Sequence, residues 1–322
     1  MSGRALVTGA AGFVGRVLCA HLESNGWEVL RCDRVEMPGI ITCDVTDSAQ
    51  IDRLLDASGA FTHIFHLAAI AFLPAAEREP ARAMDINCTG LIRLAEALRA
   101  RGSAARFLFT GTAEVYGPPL SLPITETHPL NPANPYAISK AAADLYCAYL
   151  HKAYGMETLR MRPFNHSGPG QVEAFVLSNF ARQIAEIEGE RRAPLMRVGN
   201  LSAARDFLHV NDVVRAYELA ALHGRAGEAY NVCSGESRVI REALNLLFEM
   251  GRKTIVIDED PARMRPVDIP DIRGSHEKLT AHTGWTPQIP FEKILEDVLN
   301  YWRETLAAES HSAGSGLSSQ SK

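Results

Sequence analysis

Ala5-Leu6-Val7-Thr8-Gly9-Ala10-Ala11-Gly12-Phe13-Val14-Gly15 reads as a short apolar strand that turns on glycine directly into a helix. The spacing Gly9-x-x-Gly12-x-x-Gly15 permits a tight turn and lets backbone amides approach a pyrophosphate at the helix N-terminus. A glycine triplet alone often marks nothing more than a turn. Here it follows a strand, opens a helix, and is followed about 20 residues later by Asp33, at the end of a second apolar strand. A carboxylate there accepts hydrogen bonds from an adenosine ribose and repels a 2′-phosphate. The stretch predicts a dinucleotide site that favours NAD, with Arg34 beside it able to pair with the 2′-phosphate of NADP.

Outward from this unit the same alternation continues. Apolar strands are expected at 5–8, 29–32, 63–67, 107–110 and 158–161, with helical stretches at 12–25, 48–57, 80–101 and 135–154. Strands alternating with helices imply right-handed βαβ units and an α/β fold with a doubly wound parallel sheet, that is, a Rossmann domain. The expected domains are 1–164 for the nucleotide and 165–305 for a smaller α/β substrate domain over the carboxyl edge of the sheet, some of whose segments return to the first. Residues 306–322, rich in Ser, Gly and Ala, read as a disordered tail. Asp44-Val45 follows another short strand and could border an adenine. Leu67-Ala68-Ala69 follows His66 at a strand end, where small side chains leave room for a ribose and diphosphate.

With 322 residues, 46% of them hydrophobic, the chain can bury a substantial core. A net charge of −5 gives no general attraction to nucleic acid or an anionic membrane. No apolar run approaches the ~20 residues needed to span a bilayer. Met1-Ser2-Gly3-Arg4 carries no signal-peptide pattern, and the six cysteines are scattered without a C-x-x-C pair, so a reducing, cytoplasmic setting is expected. His63 and His66 fall on opposite faces of a strand, and no metal site is expected.

Tyr136 and Lys140 are four residues apart in a predicted helix, which puts both on one face. Free tyrosine ionises near pH ~10. A lysine charge about 4 Å away, at an effective dielectric near ~20, is worth roughly 4 kcal/mol, or about three pKa units. A phenol poised in this way can pass a proton to or from a substrate oxygen while a hydride moves at the adjacent carbon. Tyr-x-x-x-Lys is a weak signal by itself and gains weight only from the glycine turn.

The order of Gly9, Gly12, Gly15, Asp44-Val45, His66-Leu67-Ala68-Ala69, Asn87, Thr112 and Tyr136-x-x-x-Lys140 resembles the extended short-chain dehydrogenase/reductases, the NAD-dependent epimerase/dehydratase family, over nearly the whole chain up to about residue 303. The resemblance implies catalytic roles for Thr112, which orients the substrate oxygen, Tyr136, which carries the proton, and Lys140, which tunes Tyr136 and holds the nicotinamide ribose. It implies cofactor contacts at Gly9, Gly12, Phe13, Val14, Gly15, Asp33, Arg34, Asp44, Val45, Leu67, Ala68, Ala69, Asn87, Tyr136, Lys140 and Pro163. Arg162-Pro163-Phe164-Asn165-His166-Ser167-Gly168-Pro169-Gly170-Gln171 and Arg263-Met264-Arg265-Pro266 resemble the branch acting on GDP-linked hexoses. That likeness implies substrate contacts at Glu114, Asn165, Phe175, Val176, Asn179, Val198, Asn200, Arg205 and Arg265, the arginines suiting a diphosphate.

The branch implies NAD(P)H-dependent reduction of the C4 ketone of GDP-4-keto-6-deoxy-D-mannose to GDP-D-rhamnose or its C4 epimer. It also implies a homodimer joined through helices 80–101 and 135–154. Thr112-Ala113-Glu114 leaves open a 4,6-dehydratase, in which Glu114 would be the base at C5. A 4-epimerase and an NAD(P)-sensing scaffold stay open as well, the scaffold disfavoured because Thr112, Tyr136 and Lys140 are all present.

Overall fold

A computed structural model describes residues 3–260 and 269–317, with side chains to 310. In chain order the elements are β1 (Arg4–Thr8), α1 (Phe13–Ser24), β2 (Glu28–Asp33), β3 (Ile41–Thr42), α2 (Ser48–Ser58), β4 (His63–His66), α3 (Leu73–Arg78), α4 (Pro80–Met84), α5 (Gly90–Ala100), β5 (Arg106–Thr110), α6 (Pro135–Tyr154) and β6 (Thr158–Pro163). Then come β7 (Asn165–Ser167), α7 (Val176–Glu188), β8 (Leu195–Val198), β9 (Ala204–His209), α8 (Val210–His223), β10 (Ala229–Val232), β11 (Ser237–Val239) and α9 (Ile240–Met250). The chain ends with β12 (Val256–Glu259), β13 (Asp271–Ile272), α10 (Glu277–Thr283) and α11 (Phe291–Leu317). Two compact units result. One holds Met1–Phe164, Val210–Gly235 and Gly274–Pro287, and the other Asn165–His209, Glu236–Arg273 and Gln288–Lys322.

The first unit is built on a seven-stranded sheet in the order β10-β6-β5-β4-β1-β2-β3, with every neighbouring pair parallel. The order turns back on itself beside β1, as alternating strands and helices require. Leu6, Ile64, Phe107 and Phe109 of the sheet pack with Leu54, Leu91, Leu94 and Leu150 of α2, α5 and α6 in one apolar core. Helix α6 is well punctuated. The Asn134 side chain accepts from the Ala137 amide at 2.8 Å, Pro135 takes the first position, and Gly155 closes the end in a left-handed conformation.

The helix expected over 80–101 forms from Pro80 to Ala100 and carries a π-helical turn within it. Between α4 and α5, residues Asp85–Thr89 form a π-helical turn. Its Asn87 is wholly buried, with Oδ1 accepting from Ile70 N at 2.7 Å and Nδ2 donating to Ile70 O at 3.1 Å and Ser139 Oγ at 2.9 Å. Periodicity cannot reveal such an interruption, because those bonds reach a distant loop and a distant helix.

The second unit gathers α7, α9 and α11 around Leu177, Phe180, Ile184, Leu244, Leu295 and Leu299. Here the expected tail is corrected: α11 does not stop at 305 but continues to Leu317. Leu306 is buried in the same core as Trp302, so apolar contacts carry the helix past the compositional change. No helix among the described residues is long and apolar enough to cross a membrane. The six cysteines are free and buried.

Candidate active site

Glycine is required at two points of the β1–α1 turn. Gly9 has φ +72°, and a Cβ on it would stand 2.8 Å from the Ala68 nitrogen; a Cβ on Gly15 would stand 2.1 Å from the Gly9 oxygen. Gly12 is exposed, and a Cβ there would meet only the Gly9 oxygen at 3.1 Å. No side chain caps α1. The turn is thus an open shelf at a helix N-terminus, with half-buried Leu67, Ala68 and Ala69 along its other side, and it fits a dinucleotide diphosphate. Phe13 and Val14 form the first turn of α1.

Asp33 stands at the end of β2, and its carboxylate accepts from the Ala11 amide at 3.0 Å and the Val35 amide at 3.3 Å. It therefore braces the glycine turn as well as presenting negative charge beside exposed Arg34. Asp44 is occupied within its own turn, accepting from Thr46 N and Oγ1 at 2.8 Å, while Val45 is buried against Gly90. The Asn87 amide bonds to Ile70 and Ser139 and so shapes the loop that follows Ala69.

Thr112 caps a 3₁₀ turn over Ala113–Tyr116, with Oγ1 accepting from Glu114 N at 3.2 Å. Its hydroxyl favours loss of the Tyr136 phenol proton. The Glu114 carboxylate is held by Asn134 Nδ2 at 3.2 Å. Tyr136 and Lys140 share one face of α6, as the spacing predicts. Lys140 Nζ donates to the Thr110 carbonyl at 2.8 Å and lies 5.0 Å above the Phe109 ring. Burial pushes Tyr136 up to about 12; the Thr112 hydroxyl opposes this and the Glu114 charge adds to it. Burial likewise brings Lys140 down to about 7. Spacing along a helix could not show that a backbone carbonyl captures the ammonium.

Lys140 thereby acquires a testable dependence on pH. Its depressed folded pKa means that the unfolded chain binds the proton more tightly, so this lysine costs stability increasingly as pH falls from the ordinary lysine range to about 7. Lys140→Met should therefore raise the stability of the cofactor-free protein by about 2.6 kcal/mol more at pH ~6 than at pH ~9. Urea melts at the two values measure it; an equal effect at both would contradict the assignment.

Below this site lies a network that the sequence reading missed. Asp144, one turn beyond Lys140 on the same face, is wholly buried. Its carboxylate takes Arg162 Nε and NH2 at 2.8 Å each and Arg160 NH1 at 2.9 Å. Arg162 NH1 donates to Tyr116 Oη at 2.9 Å, and Tyr116 donates to Asn231 Oδ1 at 2.7 Å. Burial works against the charge on Asp144, but the two guanidiniums hold its carboxyl below the ordinary range. The network joins α6, β6, the 3₁₀ turn and β10. Nearby His66 is pushed down to about 3 by burial and the Lys140 charge, and stays neutral. Pro163 is buried at the end of β6.

In the second unit, exposed Asn165 opens β7 and exposed Phe175 caps α7. Val176 is half-buried against the core, and Val198 is a buried core residue. Asn179 donates to the Glu173 carbonyl at 3.0 Å and accepts from Gln183 at 2.7 Å. Asn200 accepts from Ser202 N at 2.9 Å, and Arg205 NH1 donates to the Ala204 and Ile269 carbonyls at 2.7 Å each. Arg265 lies outside the described residues. Among those described, no cluster of His, Cys, Asp and Glu could hold a metal ion.

Comparison with known proteins extends these observations. The family described as GDP-mannose 4,6 dehydratase matches residues 6–298. A GDP-6-deoxy-D-mannose reductase of Pseudomonas aeruginosa is 39% identical over 317 residues, covering 96% of this chain and 100% of that protein. GDP-mannose 4,6 dehydratase 2 of Arabidopsis thaliana is 29% identical, over 91% of this chain and 84% of that one. The solved structure of RMD from Pseudomonas aeruginosa complexed with NADPH superposes with a TM-score of 0.87 at 37% identity, covering 94% of this chain and all of that one.

Proposed function

The chain belongs to the GDP-mannose 4,6 dehydratase family, and we propose that within it the chain is an NAD(P)H-dependent reductase converting GDP-4-keto-6-deoxy-D-mannose to GDP-D-rhamnose. The observation that carries this reading is the 39% identity, over both full lengths, to a GDP-6-deoxy-D-mannose reductase, against 29% to a dehydratase.

The glycine shelf, Asp33 and the loop at Leu67–Ala69 would hold the dinucleotide, and when bound the reduced nicotinamide supplies a hydride. In this reading the Thr112 and Tyr136 hydroxyls hydrogen-bond one carbonyl oxygen. As C4 gains hydride, its oxygen takes the proton from Tyr136, leaving an alcohol. Lys140, fixed on the Thr110 carbonyl, holds positive charge behind this face. Asn165, Phe175 and Arg205 are the second unit's candidates for the GDP moiety. Asp33 favours NADH, and a higher kcat/KM with NADPH than with NADH would contradict that preference.

Glu114 keeps the dehydratase as the rival reading. GDP-mannose given to the purified enzyme with NAD(P) should remain unchanged; its conversion to the 4-keto sugar without net cofactor consumption would favour the rival.

We further read the protein as a cytoplasmic homodimer. Support comes from six buried free thiols and from a stripe on α6 formed by Ile138 (48% exposed), Leu145 (59%) and Tyr149 (48%). Light scattering should give twice the single-chain mass, reduced to one chain by Leu145→Glu, and activity should fractionate with the cytoplasm. A native mass of one chain, or activity in another fraction, would contradict the respective part.

A further inference from the structure

Tyr116 closes the 3₁₀ turn that Thr112 caps, and its side chain is buried with a hydrogen bond on either side of the hydroxyl. A guanidinium can only donate, so the 2.9 Å bond from Arg162 NH1 makes the Tyr116 oxygen the acceptor there. The phenol proton therefore goes to Asn231 Oδ1 at 2.7 Å. Asn231 in turn donates Nδ2 to the Ile124 carbonyl at 3.0 Å, which also receives the Ser275 amide at 2.8 Å. The Asn231 backbone N–H goes to Glu126 Oε1 at 2.8 Å. These donors all run one way, from Arg162 to the segment that joins the 3₁₀ turn to α6.

The chain begins on α6 itself. Arg162 commits Nε and NH2 to Asp144, about two turns past Tyr136 on that helix. One phenol oxygen thus joins the turn that carries Thr112 to the helix that carries Tyr136, between a buried ion pair and a wholly buried amide. The turn has little else to hold it. Its own bonds are Val115 N to Thr112 O at 3.4 Å and Gly117 N to Glu114 O at 3.1 Å. From outside, Asn131 N reaches Val115 O at 2.9 Å and Asn134 Nδ2 reaches Glu114 at 3.2 Å. Both come from the segment that Asn231 anchors at Ile124 and Glu126, so they share its anchor. The geometry points to Tyr116 as a positioning residue of the reduction, whose hydroxyl fixes the Thr112 turn against α6, with Asn231 as its anchor on the sheet. This role rests on the reading of Thr112 above as the group that orients the carbonyl.

Tyr116→Phe keeps the ring and removes the hydroxyl alone. In the whole cofactor-free protein, amide hydrogen exchange at Glu114 and Gly117 should quicken on the order of tenfold, while amides in the middle of α6 keep their protection. With the 4-keto sugar, kcat should fall on the order of tenfold, KM and the Kd for NAD(P)H staying within about twofold of wild type. Asn231→Ser breaks the next link, leaving Tyr116 on Arg162 and the Ile124 carbonyl on Ser275. It should move both readouts in the same direction by a smaller factor. Unchanged exchange at Glu114 and Gly117 in both variants overturns the inference. So does quickened exchange with a normal kcat, or a rise in KM or Kd in place of the fall in kcat. Because the exchange needs no substrate, a wild type that turns over no keto sugar would fault the proposed reaction, and quickening confined to the turn would still uphold Tyr116 as the residue that fixes it.

Discussion

Tyr136→Phe should lower turnover of the 4-keto sugar about 10²- to 10⁴-fold while NAD(P) still binds. The phenol is carried on the first turn of α6, which packs against the 3₁₀ turn that Thr112 caps. Phenylalanine keeps the ring and removes the one group of the pair that burial and Glu114 keep protonated at neutral pH. Thr112 would remain to orient the carbonyl, but a second hydroxyl cannot replace the lost donor without moving the backbone. The loss should appear in kcat, with fluorescence titration of NAD(P)H giving a near-normal Kd. Activity within a few-fold of wild type would remove Tyr136 from the proton transfer.

Asp144→Ala should cost about 3–5 kcal/mol of stability, because it leaves two guanidiniums facing a buried gap. Arg162 is almost fully buried and has two of its three nitrogens on Asp144, so neither water nor another carboxylate can take over. Asp144→Asn should be milder in shape and still costly, since one amide cannot accept both forks. The pairing also carries a pH signature. Because the folded carboxyl lies below its ordinary value, its contribution is present above the ordinary carboxylate range and is lost as pH falls through the lower folded value. Urea melts of wild type and Asp144→Ala should therefore converge in acid. A loss below about 1 kcal/mol at neutral pH would show that the network is not a support for α6.

What the sequence disclosed was local. Gly9, Gly12 and Gly15 were legible because a turn, a close approach and a helix start fall within seven residues of one another. Tyr136 and Lys140 were legible as a pair because helical spacing is periodic. The position of the lysine charge was not, since it depends on the end of β5 and on burial. Asp144 carried a signal that went unused: an acid four residues past Lys140, on a face that must be buried, needs cations, and Arg160 and Arg162 lie on the next strand. The π-helical turn around Asn87 and the extension of α11 past 305 depend on tertiary contacts that composition does not encode. Arg265 stays a sequence expectation, since it falls outside the described residues.

The central claim is that this chain reduces a nucleotide-linked ketone. Purified protein mixed with GDP-4-keto-6-deoxy-D-mannose and NADH or NADPH should consume the reduced-nicotinamide absorbance mole for mole with formation of GDP-D-rhamnose. Absorbance that stays constant with both cofactors while the keto sugar persists would contradict the account.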